Sequence, residues 1–276
     1  MKKLIPKAIG LFINTSAAVA PSWSTEYSFD LLCKVKRVGV SEKGKEFFTN
    51  GEQFIQENGV YNTVLHRWGT GDKKLFFLHG WMSNSQRWLP YVEAIDLTEY
   101  TVYALDAPGH GLSEGNKLTL EAFRQGVEMA LARIGPIDTM VCHSFGSLAA
   151  AYSFLVDPSI PVKKYVIMGA PSGLDAIFVF FESILGLSER AIRLLNDKVD
   201  SILKMPSEEI TIAHFFQKVA QPLLVVHERT DSITPFDPVR VASEENANVK
   251  TFFTEGQDHN LKGPETVNRI IEFIKD

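Results

Sequence analysis

The sequence predicts an α/β fold: a mostly parallel, twisted sheet of about eight strands flanked by helices, with a small helical cap inserted after the sixth strand. Three observations predict it. Short apolar runs recur at 75–78, 101–105, 139–142, 165–168, 223–226 and 250–253. Runs that are apolar without alternation suit strands buried on both faces, as in a parallel sheet. Helix-length segments at 86–95, 118–134, 147–156, 237–246 and 264–275 separate most of them, which is the pattern of βαβ units with right-handed crossovers. Polar residues cluster where the runs end, at His79-Gly80, Asp106, His143-Ser144, His227 to Asp231 and Gly256 to His259. Open α/β sheets place their sites at those carboxyl ends.

Two further strands precede the six runs. Residues 54–68 read as two strand-like stretches around Asn58-Gly59, a strong hairpin signal. Between the runs at 165–168 and 223–226 lie about fifty residues with three helix-like stretches, 174–185, 188–203 and 208–219. That interval is too long for a simple crossover and is read as the cap. The expected organisation is therefore an N-terminal helical extension at 1–45, a core at 46–171 and 222–276, and the cap at 172–221.

Composition narrows the function classes. Hydrophobic residues make up 45% and charged residues 22% of the 276, enough apolar content for a large core without staples. The net charge of −5 and the lack of a long basic run argue against nucleic acid as a partner, since phosphate binding needs clustered Lys and Arg. Cys33 and Cys142 are too few and too far apart for a disulfide framework or a zinc site, and read as buried thiols. No H-E-x-x-H, C-x-x-C or P-loop pattern is present, so neither a metal nor a cofactor is implied.

The N-terminus admits two readings. Lys2 and Lys3 precede an apolar stretch, Ala8 to Ala20, that resembles the core of an export signal, which would place the protein outside the cytoplasm. Lys7, Asn14 and Pro21 weaken that reading, and Ile5, Ala8, Ile9, Phe12 and Ile13 share one helical face. The favoured expectation is an amphipathic helix that packs on the body or touches a membrane surface, in a protein of the cytoplasm. No stretch reaches the roughly 18 apolar residues of a spanning helix.

Three strand ends carry the candidate chemistry. At Cys142-His143-Ser144-Phe145-Gly146 a strand ends, a serine follows, and a helix of small residues begins. A sharp strand–turn–helix lifts a serine Oγ out of the sheet, and the free N–H groups of the helix start suit a developing oxyanion. An ordinary helix N-cap is the competing role for Ser144. Gly80 lets the backbone run close to a ligand, so the Trp81 N–H can join that of Phe145 as an oxyanion pair. Asp231 follows the run at 223–226 and can reach a histidine from the next loop. Glu228 is a rival acid that can instead pair with Arg229, and Asp231 can instead cap the helix after Pro235. His259 follows the last run, and histidine is the natural general base near pH 7, unless it is merely an exposed loop residue.

With these residues and the order Ser144, Asp231, His259, the chain resembles the α/β-hydrolase superfamily, in particular its small esterase-like members, over about residues 50–275. His79-Gly80-Trp81, the stretch Asp106-Ala107-Pro108-Gly109-His110-Gly111-Leu112-Ser113, His143-Ser144-Phe145-Gly146, Asp231 to Pro235 and Asp258-His259 carry the resemblance. It implies a Ser144–His259–Asp231 triad, an oxyanion hole from Trp81 and Phe145, and His110 as part of a structural turn rather than a catalyst. A serine at the nucleophile position also disfavours the dehalogenase and epoxide-hydrolase chemistry that uses aspartate there. Two departures stand out: Cys142 where the family usually has glycine, and Asp258 beside His259, whose charge would raise the base's pKa. His79 and His143 are expected to brace their turns, and His66 and His214 to pack or face solvent.

The apolar stretch 177–185 suggests a substrate pocket built from Phe178, Phe181 and Ile184, unless it only joins cap to core. The expected activity is cleavage of a small apolar carboxylic ester. A carbon–carbon bond hydrolase or thioesterase with the same triad, a slow-turnover small-molecule receptor, and a membrane-associated lipase-like protein are the alternatives.

Overall fold

The computed structural model describes residues 4–57 and 61–276, so the Asn58-Gly59 turn lies outside the described residues. The chain opens with helices Leu4–Val19 (α1), Pro21–Cys33 (α2) and Glu42–Thr49 (α3). Where one N-terminal helix was expected there are two. Pro21 has no N–H to continue α1 but suits the first turn of a helix, so it starts α2. Strands Glu52–Gln56 (β1) and Thr63–Trp68 (β2) pair antiparallel, with Gln56 opposite Thr63.

Strand Lys73–Leu78 (β3) is followed by a 3-10 turn, Ser85–Trp88, and the short helix Leu89–Ala94 (α4), where one longer helix was expected. Then come Tyr100–Asp106 (β4), Leu120–Ile134 (α5), Thr139–His143 (β5), Phe145–Val156 (α6) and Tyr165–Met168 (β6). The long interval holds Leu174–Leu185 (α7), Glu189–Asp200 (α8) and Ile212–Lys218 (α9). Leu223–Glu228 (β7), Phe236–Glu244 (α10), Val249–Thr254 (β8) and Pro264–Lys275 (α11) complete the chain. Side-chain caps set several starts: Thr119 Oγ1 accepts from Ala122 N before α5, and Ser188 Oγ from Ala191 N before α8.

The eight strands form one sheet in the order β1-β2-β4-β3-β5-β6-β7-β8, parallel from β4 to β8. Alternate side chains feed two cores. Phe76, Leu78, Met140, Cys142, Ile167 and Val225 meet α5, α6 and α9 on one face. Leu75, Phe77, Val141, Val166, Leu224 and Val226 meet α4 and α11 on the other. This double burial is why the runs are uniformly apolar. The last run is different: β8 is an edge strand, and Lys250 and Thr251 are exposed on it. A lysine on an open edge discourages pairing with another chain.

Outside the sheet, α1 and α2 pack on α7 and α8. Ile13 and Ala17 form a small core with Leu185, Leu187 and Ala191. Among the described residues no helix is long and apolar enough to cross a membrane.

Candidate active site

Ser144 stands between β5 and α6 with φ 53° and ψ −122°, a conformation a non-glycine residue adopts only under constraint. It occupies the cap position of α6, yet its side chain makes no capping bond. The hydroxyl is therefore free of the N-cap role and turned to the strand ends. The tight turn depends on Gly146, where a Cβ would meet the Leu78 carbonyl oxygen at 2.5 Å. Cys142, in the position where glycine is usual, points into the core and its thiol is kept protonated by burial.

The structure brings the three distant residues together. His259 Nε2 lies 3.0 Å from Ser144 Oγ, and His259 Nδ1 lies 2.7 Å from Asp231 Oδ2. This network assigns the hydroxyl as donor to Nε2 and Nδ1–H as donor to the carboxylate. Asp231 also accepts from Ile233 N at 2.8 Å, Thr234 N at 3.0 Å and Thr234 Oγ1 at 2.8 Å. Burial alone would raise its pKa. The hydrogen bonds from His259 and from the Thr234 and Ile233 amides outweigh burial and hold the carboxyl down at about 2.

Glu228, the rival acid, is engaged elsewhere and does not pair with Arg229. Its carboxylate accepts from Thr230 N and Oγ1, Thr254 Oγ1, Gly256 N and Gln257 N. Against the opposing effect of burial, these donors lower its pKa to about 2. Arg229 instead lies over the rings of Phe236 and Phe253. Glu228 thus ties the loop after β7 to the loop that carries His259.

The Trp81 and Phe145 amides, the expected oxyanion pair, have no protein acceptor among the described residues. The neighbouring amides are committed, Met82 N to His110 Nε2 at 3.0 Å and Ser144 N to Met168 O at 2.8 Å. The turn before Trp81 runs against Ser144, since a Cβ on Gly80 would stand 2.8 Å from Ser144 Cβ. His110 donates through Nδ1 to Pro108 O, so it braces the Trp81 turn as a neutral ring. His79 does likewise, donating to Gly80 O and accepting from Ala107 N, and burial drops its pKa to about 3. His66 is buried and donates to Asp106, while His214 donates to Glu209 O.

The His259 loop has two anchors. His143 Nε2–H donates to His259 O at 2.8 Å, and Arg87 Nη2 donates to Asn260 O at 2.9 Å. Arg87 is buried, and loss of hydration lowers its pKa to about 10. Neither Arg87 nor the part played by Thr234 is visible in the sequence. An arginine in an amphipathic stretch reads as surface, and only the β7 and β8 loops in three dimensions give Thr234 its partners. Asp258 is exposed, and its carboxylate accepts from the Asn260 amide and side chain rather than facing the imidazole.

A small apolar cavity of about 40 Å³ lies against Trp81 and Phe145. Leu174, Ile177 and Phe178 of α7 line it, as do Phe29 and Leu32 of α2. Of the three expected pocket residues only Phe178 lines it. Phe181 packs between the main core and the small core under α1, and Ile184 is exposed. Six residues of helix put Ile184 about 120° round α7 from Phe178, so the two cannot share a wall. The α2 wall was not foreseen, because an N-terminal helix carries no sign of which cavity it will close.

The fold and the match of residues 75–260 to the Alpha/beta hydrolase family model define the class: the chain belongs to the alpha/beta hydrolase family. A 60-residue stretch is 40% identical to the pimeloyl-[acyl-carrier protein] methyl ester esterase of Sodalis glossinidius (strain morsitans), spanning 21% of this chain and only 23% of that protein. Among solved structures, a bromoperoxidase from Bacillus anthracis superposes with a TM-score of 0.64 at 20% identity, over 82% of this chain and 100% of the other. The esterase RhEst1 from Rhodococcus sp. ECU1013 does so with 0.60 at 18% identity, over 82% and 99%. At those identities the superpositions speak to the fold.

Proposed function

We propose that the protein is a serine hydrolase that cleaves a small, apolar carboxylic ester through an acyl-enzyme. The observation that carries this reading is the continuous line from Ser144 Oγ through His259 to Asp231, at 3.0 and 2.7 Å. His259 Nε2 takes the hydroxyl proton as Ser144 Oγ bonds to the ester carbonyl carbon, and Asp231 stabilises the imidazolium. The oxyanion is received by the Trp81 and Phe145 N–H groups, each donor contributing about 3–4 kcal/mol in comparable enzymes. His259 returns the proton to the leaving alcohol. Water then repeats the sequence on the acyl carbon and frees Ser144.

The helices between β6 and β7 act in this reading as the cap, and the cavity beside Trp81 takes the apolar part of the substrate. Its 40 Å³ suit a group of a few heavy atoms. A fluorophosphonate probe is expected to label Ser144 alone, located by mass mapping, and short acyl nitrophenyl esters to be turned over. Failure of both would overturn the reading. Turnover of thioesters or of a carbon–carbon bond in preference to esters would move the reaction class without moving the residues.

The cavity makes a second expectation. Phe178→Ala enlarges the chamber and shifts the preferred acyl chain to longer members. Leu32→Trp fills it and selects against all but the shortest. Each buried methylene is worth about 0.8 kcal/mol, or about fourfold in kcat/KM per carbon. A chain-length profile identical in both variants and the native protein would place the acyl group elsewhere.

A further inference from the structure

We infer that the exposed sides of α1, α2 and α7 form a docking face for an anionic lipid surface. α1 is apolar on two sides. One side, with Ile13 and Ala17, is buried against α7 and α8. The other exposes Leu11, Phe12 and Val19 to solvent, at 68%, 52% and 81%. The stretch 8–20 contains no charged residue, and on the open side of α1 Thr15, between Leu11 and Val19, turns its hydroxyl back to the Leu11 carbonyl. Large apolar exposure of this kind marks an interaction surface.

Its aromatic composition points to lipid. Phe12 meets Trp23 and Tyr27 of α2 edge-on at 5.5 and 5.8 Å, and the latter two stack at 5.3 Å. Trp23 and Tyr27 are exposed, each with an apolar ring and a polar tip, the combination that settles at headgroup level. Phe180 adds to the face from α7, the helix on which α1 packs.

Charge points the same way. In a chain of net charge −5, residues 1–40 carry six cations, including Lys2, Lys3 and Lys7 before the apolar stretch and Lys34 and Lys36 after it. They carry only two acids, and both are paired, Glu26 with Lys198 and Asp30 with Lys117. An apolar stretch flanked in the sequence by lysines complements anionic headgroups. A two-fold pairing with a second copy would instead bring two cationic surpluses together. At 16 residues α1 spans about 24 Å, short of a bilayer core of about 30 Å. With one side fixed to the body, it lies in the interface plane.

The test uses the full chain with vesicles of phosphatidylcholine, with and without phosphatidylglycerol. The protein is expected to float with the vesicles that contain phosphatidylglycerol, and its tryptophan emission to shift to the blue. Trp68 and Trp88 are already buried and Trp81 lines the apolar cavity, so the shift comes mainly from Trp23 and is lost in Trp23→Phe. The triple variant Phe12→Ser, Trp23→Ser, Phe180→Ser changes only exposed side chains and is expected to bind at least about tenfold more weakly. Its turnover of a soluble ester should match the native protein, which keeps this result apart from the catalytic reading. Absence of flotation on either vesicle, undiminished binding by the triple variant, or a lipid-free dimer that already shifts Trp23 emission would each overturn the proposal.

Discussion

Replacing Ser144 by alanine is expected to lower kcat by about a millionfold, while the protein folds and melts as before. The attacking oxygen is lost and His259 has no proton to take, yet the Trp81 and Phe145 amides remain. The residual rate should therefore stay about a thousandfold above the uncatalysed reaction. Alanine at position 144 keeps the positive φ of 53° and its strain. Glycine tolerates that backbone. Ser144→Gly should be equally inactive but more stable by about 1 kcal/mol, net of the entropy glycine loses on folding. That is roughly 2–4 °C in Tm for a chain of this size. Steady-state rates and calorimetry of the two variants separate chemistry from strain. A Ser144→Ala protein that kept more than a small fraction of turnover would remove the nucleophile from the scheme.

The second large effect divides the two acids. Asp231→Asn keeps the shape of the carboxylate but favours the wrong imidazole tautomer and no longer stabilises the imidazolium, so kcat should fall by about 10⁴. Glu228→Gln should leave kcat within about tenfold. It should cost about 2–3 kcal/mol of stability, because its amide nitrogen faces donors where an oxygen accepted from them. The pH dependence follows from the same contacts. The Glu228 carboxyl falls from an ordinary 4.5 to about 2 in the folded protein, and Asp231 from 3.8 to about 2. A carboxyl whose pKa is depressed by folding stabilises the fold fully above its unfolded value. That contribution disappears as the pH falls through the folded value. The native protein should therefore lose stability between about pH 4.5 and pH 2, and Glu228→Gln should show a flatter acid limb. Equal losses of activity in the two variants would mean that the acids had been assigned wrongly.

Much of this was legible in the chain, and the reasons are physical. Parallel strands buried on both faces leave uninterrupted apolar runs, and the sheet delivers its polar residues at one end. Ser144, His259 and an acid at Asp231 or Glu228 therefore stand out as candidates at successive strand ends. What stayed hidden depends on contacts between distant segments. Glu228 and Asp231 are three residues apart and chemically alike; only the Thr254, Gly256 and Gln257 donors distinguish them. Arg87 looks like a surface residue until its partner, the Asn260 carbonyl, is seen 173 positions away. The apolar stretch around Phe178 suggests either a pocket or a seam between cap and core, and its hydropathy does not say that Ile184 turns outward. A signal-like N-terminal stretch does not announce a pair of helices either, because the break at Pro21 fits both readings.

The contribution of Phe29 and Leu32 to the cavity has a consequence for how such an enzyme diversifies. These side chains come from a stretch that precedes the family-matched residues 75–260 and holds none of the reacting groups. Under the proposed function, selection acting on that leading segment can retune substrate size while proton transfer is preserved. A library confined to residues 21–33 would therefore explore selectivity at little risk to turnover.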